Sequence, residues 1–157
     1  MRLAVTGHRG LAQRTVELVQ AALRTELGQY EGSLVGLSCI ADGADALFAR
    51  AVLDQGGSLV VIVPAVNYRD KLPEEHHAEY DDLLGRASDV VRLDFPDSTS
   101  ESHMVASVKM VEMADKLVAV WDGKPARGYG GTADVVNAAR DRAVPVTVIW
   151  PDGAERD

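Results

Sequence analysis

Six short runs rich in β-branched residues alternate with longer stretches whose apolar residues recur three or four positions apart. That alternation limits, more than any other feature, what the chain can fold into. The runs are residues 2–6, 34–37, 58–63, 89–93, 116–121 and 144–149. The first helical stretch carries Ala12, Val16, Val19, Leu23 and Leu27, and the second carries Ala44, Leu47, Phe48 and Ala51. The third opens at Pro73, a favoured first helical position, and carries Tyr80, Leu83, Leu84 and Ala87. The fourth shows Met104, Val108 and Val111, and the fifth Ala133, Val136 and Ala139. Strand and helix taken in turn predict an α/β fold, a three-layer sandwich with a mainly parallel sheet and helices on both faces. Right-handed crossovers then gather the strand-to-helix loops along one edge, and ligands of such sheets bind outside the C-terminal strand ends.

At 157 residues the chain reads as one domain over residues 1–150, followed by a polar tail, 151–157, expected to fray. A hydrophobic fraction of 46% with 25% charged residues is that of an ordinary globular protein. Only 5% is aromatic, which argues against binding through rows of stacked rings, and a net charge of −8 argues against nucleic acid as the main partner. The lone cysteine, Cys39, has no internal disulfide partner and fits a reducing compartment. The N-terminus reaches Gly7 and His8 too soon for a signal peptide, and no apolar run approaches the ~18 residues of a membrane span, so the expectation is a cytoplasmic protein with no membrane partner. His76 and His77 are adjacent, so on a helix they point about 100° apart and do not suit a shared metal; no metal or cofactor is expected.

The loops after the strands carry the candidate chemistry. The last, residues 122–132, is glycine-rich between an apolar strand and a helix, a context in which backbone N–H groups and a helix N-terminus favour an anion. Its binding candidates are Gly128, Gly130, Gly131 and Thr132. The first loop brackets His8 and Arg9 between Gly7 and Gly10; Arg9 either grips a phosphate or carboxylate with paired donors, or pairs with an acidic neighbour. In the second loop Gly43 permits close backbone approach, and Asp45 either accepts from a ribose hydroxyl or caps the helix. The third loop, residues 64–72, offers Tyr68 and Arg69 to a base or phosphate, or is a solvated mobile segment. Three carboxylates, Asp134, Asp122 and Asp45 in that order, are the catalytic candidates; Asp134 also suits the positive end of its helix with no chemistry at all. His103 reads as structural or solvated, and the methionines 104, 110 and 113 as either core or a face for self-association. G-x-x-x-x-G-K-[ST], G-x-G-x-x-G and G-x-S-x-G are all missing.

The set Thr6-Gly7-His8-Arg9, Ala41-Asp42-Gly43-Ala44-Asp45, Val120-Trp121-Asp122-Gly123 and Gly130-Gly131-Thr132-Ala133-Asp134 resembles the SMF/DprA–LOG (SLOG) superfamily, nearest its small stand-alone YspA/YpsA-like members, from Arg2 to about Trp150. The resemblance implies a Rossmann-like fold, a homo-oligomer, and a pocket for nucleotides or related phosphorylated small molecules, with phosphate at Gly130, Gly131 and Thr132. It implies one of two activities: N-glycosidic cleavage of a nucleoside monophosphate, or non-catalytic sensing of a nucleotide-derived signal. The hydrolase motif P-G-G-x-G-T-x-x-E aligns with residues 127–135, where Arg127, Tyr129 and Val135 stand in place of the proline, the second glycine and the glutamate. Asp134 is one position early, about 100° round the helix from the glutamate's place.

Overall fold

The computed structural model describes residues 1–156. Its elements run β1 (Arg2–Gly7), α1 (Gln13–Gly28), β2 (Val35–Ser38), α2 (Ala44–Asp54), β3 (Ser58–Val63), α3 (Tyr68–Lys71), α4 (His77–Gly85), β4 (Asp89–Arg92), α5 (Ser100–Met113), β5 (Lys116–Val120), α6 (Thr132–Asp141) and β6 (Val146–Ile149). The six strands form one sheet in the order β4-β3-β2-β1-β5-β6, and every pairing is parallel. This is the Rossmann-like architecture expected from the alternating pattern, with no antiparallel strand.

The strands read as nearly continuous apolar runs because both faces are buried. Leu3, Val5, Val118 and Val120 pack with Val19, Leu23 and Leu27 of α1 and Phe48 and Val52 of α2. Their sequence neighbours Ala4, Leu117 and Ala119 turn the other way, toward Ala106, Met110 and Val111 of α5 and Val135, Val136 and Ala139 of α6. Strand order reverses at the β1–β5 pair: β1 continues into a helix on the first face, and β5 into a helix on the second. The two departing connections leave a crevice at the C-terminal ends of β1 and β5.

The structure departs from the sequence reading in three places. The third helical stretch does not begin at Pro73, which is extended (φ −54°, ψ 138°); a 3₁₀ turn over Glu74–His76 follows, and α4 starts at His77. Leu72, the residue before the proline, is held extended at ψ 156°, which separates α3 from that turn. Residues 64–72 are partly packed, with Val66 and Arg69–Lys71 exposed. Tyr68 is buried, Val66 N–H donates to Phe95 O (2.8 Å), and Asn67 Oδ1 accepts from Ser98 N–H (2.7 Å). The tail is tied to α1 at Glu155. The buried Thr15 hydroxyl donates to Glu155 O (3.2 Å) and accepts from Glu155 N–H (3.0 Å), so a polar group inside α1 fastens the segment. Asp157 lies outside the described residues. Of the three methionines, Met110 belongs to the core, while Met104 and Met113 flank it. No helix among the described residues is long and apolar enough to cross a membrane.

Gly7 closes β1 where a Cβ would collide with Ala44 Cβ and lie 2.9 Å from Val120 Cβ, whereas a Cβ on Gly28 would meet nothing within 4 Å. Gly7→Ala is therefore expected to lower the unfolding free energy by about 1–3 kcal/mol in urea titration, and Gly28→Ala to leave it unchanged or raise it by up to ~1 kcal/mol. Equal stability of the two variants would contradict this packing.

Candidate functional site

A pocket of about 340 Å³ occupies the crevice beyond β1 and β5, within the size range of small-ligand sites. The end of β1 supplies Thr6, Gly7, His8 and Arg9 to its wall. The β2–α2 loop adds Cys39, Ala41 and Asp45, and the opposite face adds Tyr68, His103, Ser107 and Met110. Arg127, Gly130, Gly131 and Thr132 come from the glycine-rich turn, and Arg156 from the tail.

His8 joins these parts. Its backbone N–H donates to Val120 O (3.3 Å) and its carbonyl accepts from Ala44 N–H (3.1 Å). Its ring is edge-on to Trp150, with centroids 5.4 Å apart. The Asp122 N–H donates to His8 Nε2 (3.2 Å), which also lies 3.4 Å from Asp122 Oδ1, and His8 Nδ1 is 3.5 Å from Thr132 Oγ1. Burial, and then the charge of Arg156, hold the ring's pKa below the usual histidine value against the pull of Asp122. His8 is thus neutral at neutral pH and acts as a polar spacer rather than a cation for a ligand.

The second loop is held in an unusual shape. Ile40 takes φ 49°, a left-handed conformation costly for a β-branched residue. Two bonds hold it there: Ser38 Oγ accepts from Ile40 N–H (3.0 Å), and Ile40 O lies 2.9 Å from His76 Nε2. Gly43, at φ 87°, lets this loop approach the first, since a Cβ there would lie 2.6 Å from His8 O. The result aims Asp45, in the first turn of α2, at the pocket floor. Burial raises its pKa to about 7, although the Ala41 N–H and the Arg9 charge oppose the rise. Beside it, burial pushes the Cys39 thiol and the Tyr68 phenol up, so both stay protonated.

The glycine-rich turn is built differently from the expectation. At φ 84°, Gly130 backs onto α5, where a Cβ would lie 2.9 Å from Ser100 O. Gly131 backs onto Ala126 in the same way. The missing side chains therefore make room for protein rather than for ligand. The Gly130 N–H donates to Asp134 Oδ2 (2.9 Å) and the Gly131 N–H to Gly128 O (3.2 Å). Two of the amides expected to cradle an anion are thereby occupied. The Thr132 and Ala133 amides, next along α6, have no partner among the described residues, because Gly131 caps the helix without a side chain.

These contacts sort the candidate residues. Gly7, His8, Arg9, Gly130, Gly131, Thr132 and Asp45 line the pocket; Gly43, Gly128, Asp122 and Asp134 do not. Asp134 is spent on the turn, on the side facing a second, shallower depression between α5 and α6. Asp122 is enclosed behind His8. Burial alone would raise its pKa, but the Lys124 N–H, His8 and Arg156 outweigh it and hold it below the usual range. Asp45 is the one of the three catalytic candidates that meets the pocket. Arg9 lines it too, but is paired with Asp42 at 2.8 Å. Arg69 is turned away onto Asp81, which accepts from it twice, at 2.7 and 2.8 Å. No group of three potential ligands is arranged for a metal among the described residues.

Several pocket residues escaped the sequence reading. His103 sits 2.7 Å from Ser98 Oγ and stacks edge-on against Tyr68, with burial and then Arg9 lowering its pKa. Ser107 lies four positions on from it along α5, a spacing that points both to one face. Arg127 lies inside the glycine-rich stretch, where its charge was the available signal. Arg156 gave none, being in a tail with no periodicity.

No protein-family model and no curated protein matches the chain. Solved structures do. DNA processing protein A of Streptococcus pneumoniae superposes with a TM-score of 0.70 at 15% identity, over 97% of this chain and 51% of that one. DNA processing protein A of Helicobacter pylori, described by its single-stranded DNA binding mode, gives 0.70 at 14% identity, over 98% of this chain and 67% of that one. The molybdenum cofactor binding protein of Rippkaea orientalis gives 0.62 at 14% identity, over 96% of this chain and 77% of that one. The chain thus spans about half the length of the Streptococcus protein. These likenesses show the fold, over nearly the whole chain.

Asp45 also generates a stability prediction. Its pKa of about 7 in the folded chain lies above its unfolded value, so the folded state holds the proton more tightly. That contribution is complete below the unfolded pKa, near 4, and is lost as pH rises through about 7. Urea unfolding of Asp45→Asn beside the unmodified protein should show the variant gaining relative stability from about pH 4 to about pH 7 and levelling off above that. A difference independent of pH would contradict the buried position of this carboxyl.

Proposed function

We propose that this protein binds a nucleotide, or a nucleotide-derived phosphorylated small molecule, at the C-terminal edge of its sheet. The observation that carries the reading is a two-sided pocket. One side presents Thr132, with its unpartnered amide, beside Arg127 and Arg156; the other presents Asp45, Tyr68, His103 and Met110. A phosphate suits the first side, through the helix N-terminus and the guanidinium groups. A sugar fits beside Asp45, and a flat base fits against Tyr68 and Met110.

The chain carries a net charge of −8, which disfavours a long polyanion, while the pocket holds about the volume of one nucleotide. The Rippkaea protein, by its name, holds a small molecule on this fold, and the Helicobacter protein single-stranded DNA. Size and charge favour the first kind of ligand here.

One observation favours a second reading, N-glycosidic cleavage. Asp45 is a pocket carboxyl with a pKa of about 7, so both of its forms are populated near neutral pH. Breaking the C–N bond leaves positive charge on the sugar, which a carboxylate stabilises; the departing base takes a proton, and water adds to the sugar carbon. The glutamate of the hydrolase motif has no counterpart, because Val135 in its register is buried core. Binding without turnover is therefore the leading form of the proposal.

Titration calorimetry and thermal shift with the four common nucleoside 5′-monophosphates should show binding that the parent nucleosides lack or reach only weakly. Arg127→Gln should weaken it ~10-fold, the loss of one charge-assisted contact to the phosphate. Monophosphates recovered intact would fix the non-catalytic form, and free base released by the protein but not by Asp45→Asn would fix the other. No binding at millimolar concentration would overturn both.

A further inference from the structure

We propose that the C-terminal strap, residues 151–156, is part of the binding site, and that Arg156 makes the main side-chain contact to the ligand's anionic group. The inference rests on the pocket reading above and adds a residue to it.

Three observations carry it. First, the strap is anchored to α1 by the reciprocal Thr15–Glu155 bonds and is turned by the Ala154 N–H donating to Pro151 O (3.0 Å). The next residue, Arg156, is thereby delivered to the pocket wall with its side chain only 18% exposed. Second, only part of the guanidinium is engaged where it lies. Its one ionic contact runs from Nη1 to Asp122 Oδ2 at 3.5 Å, longer than the pairs of Arg9, Arg24, Arg50, Arg69 and Arg86 (2.7–3.2 Å). The other contacts of Asp122, from the Lys124 N–H (3.0 Å) and to His8 Nε2 (3.4 Å), are made by Oδ1. A guanidinium has five donors, so most of Arg156's remain for a ligand. Third, Arg156 lines the same pocket as Thr132, whose amide is unpartnered, and as Arg127. Arg9, which the sequence suggested for this task, is committed to Asp42.

A half-enclosed arginine in the pocket wall suits a phosphate or carboxylate better than an exposed one, because less water competes for it. Asp122 then acts as a positioning residue: its long contact steers the guanidinium without neutralising it. Thr15 positions the strap from 140 residues away.

The test measures affinity of the whole protein and its variants for the four nucleoside 5′-monophosphates, their nucleosides and inorganic phosphate. Arg156→Gln should weaken monophosphate and phosphate binding about tenfold or more while leaving nucleoside binding unchanged. Arg156→Lys should fall between, and Thr15→Val should shift in the same direction by less. Hydrogen exchange at the Glu155 amide should slow when a monophosphate is added, a response that a merely structural tail would not give. If Arg156→Gln binds like the unmodified protein and Glu155 exchange ignores the ligand, the strap proposal is overturned while the pocket reading stands. If the unmodified protein binds none of the probes, both are overturned. Should Arg156→Gln fail to fold, the Thr15→Val affinity and the exchange response decide the question.

Discussion

His8 is the contact on which the rest of this site depends. One buried neutral ring and its backbone join the ends of β1 and β5, the start of α2, the start of α6 and Trp150 after β6. A charged ring there would face Arg156 with little water to screen the repulsion, which is why burial and that arginine keep it unprotonated. Because the ring is neutral, it can accept from the Asp122 amide on one side and face the Thr132 hydroxyl on the other. The geometry of the crevice is fixed by hydrogen bonds rather than by an ion pair.

The arginines show how an acidic chain makes a basic pocket. Arg24, Arg50, Arg69 and Arg142 are held by Asp54, Asp82, Asp81 and Glu112 on the outer surface. Such exposed pairs contribute little to stability. Their consequence is selective: these four guanidinium groups are held on the outer surface, while Arg127 and Arg156 line the pocket. Net charge therefore says which long polyanions are disfavoured, and local geometry says where a small anion can sit.

Much of the fold was legible because burial on both faces writes itself into composition. The β3 run was read to its observed ends, and the other strands shift by one or two residues. The break between α3 and α4 was harder, since the apolar spacing of Tyr80 and Leu83 continues past a proline that acts as a stop rather than a start. The site was less legible. Asp45, Asp122 and Asp134 look alike in sequence, each near a strand end or a helix start. Only the directions of their side chains separate them, and those depend on which neighbour claims the oxygens. Asp134 is claimed by Gly130 N–H and Asp122 by Lys124 N–H, His8 and Arg156, whereas Asp45, though bonded by Ala41 N–H, lines the pocket.

By itself the sequence determined the layer order, the parallel sheet and the edge on which a ligand site must lie. Those follow from local periodicity and from the handedness of crossovers, which need no knowledge of distant contacts. The tertiary structure alone decided which carboxylate and which arginines reach the cavity. Arg156 and Thr15 stand 141 positions apart and meet the site through two hydrogen bonds to Glu155, a pairing that leaves no periodic trace in either segment.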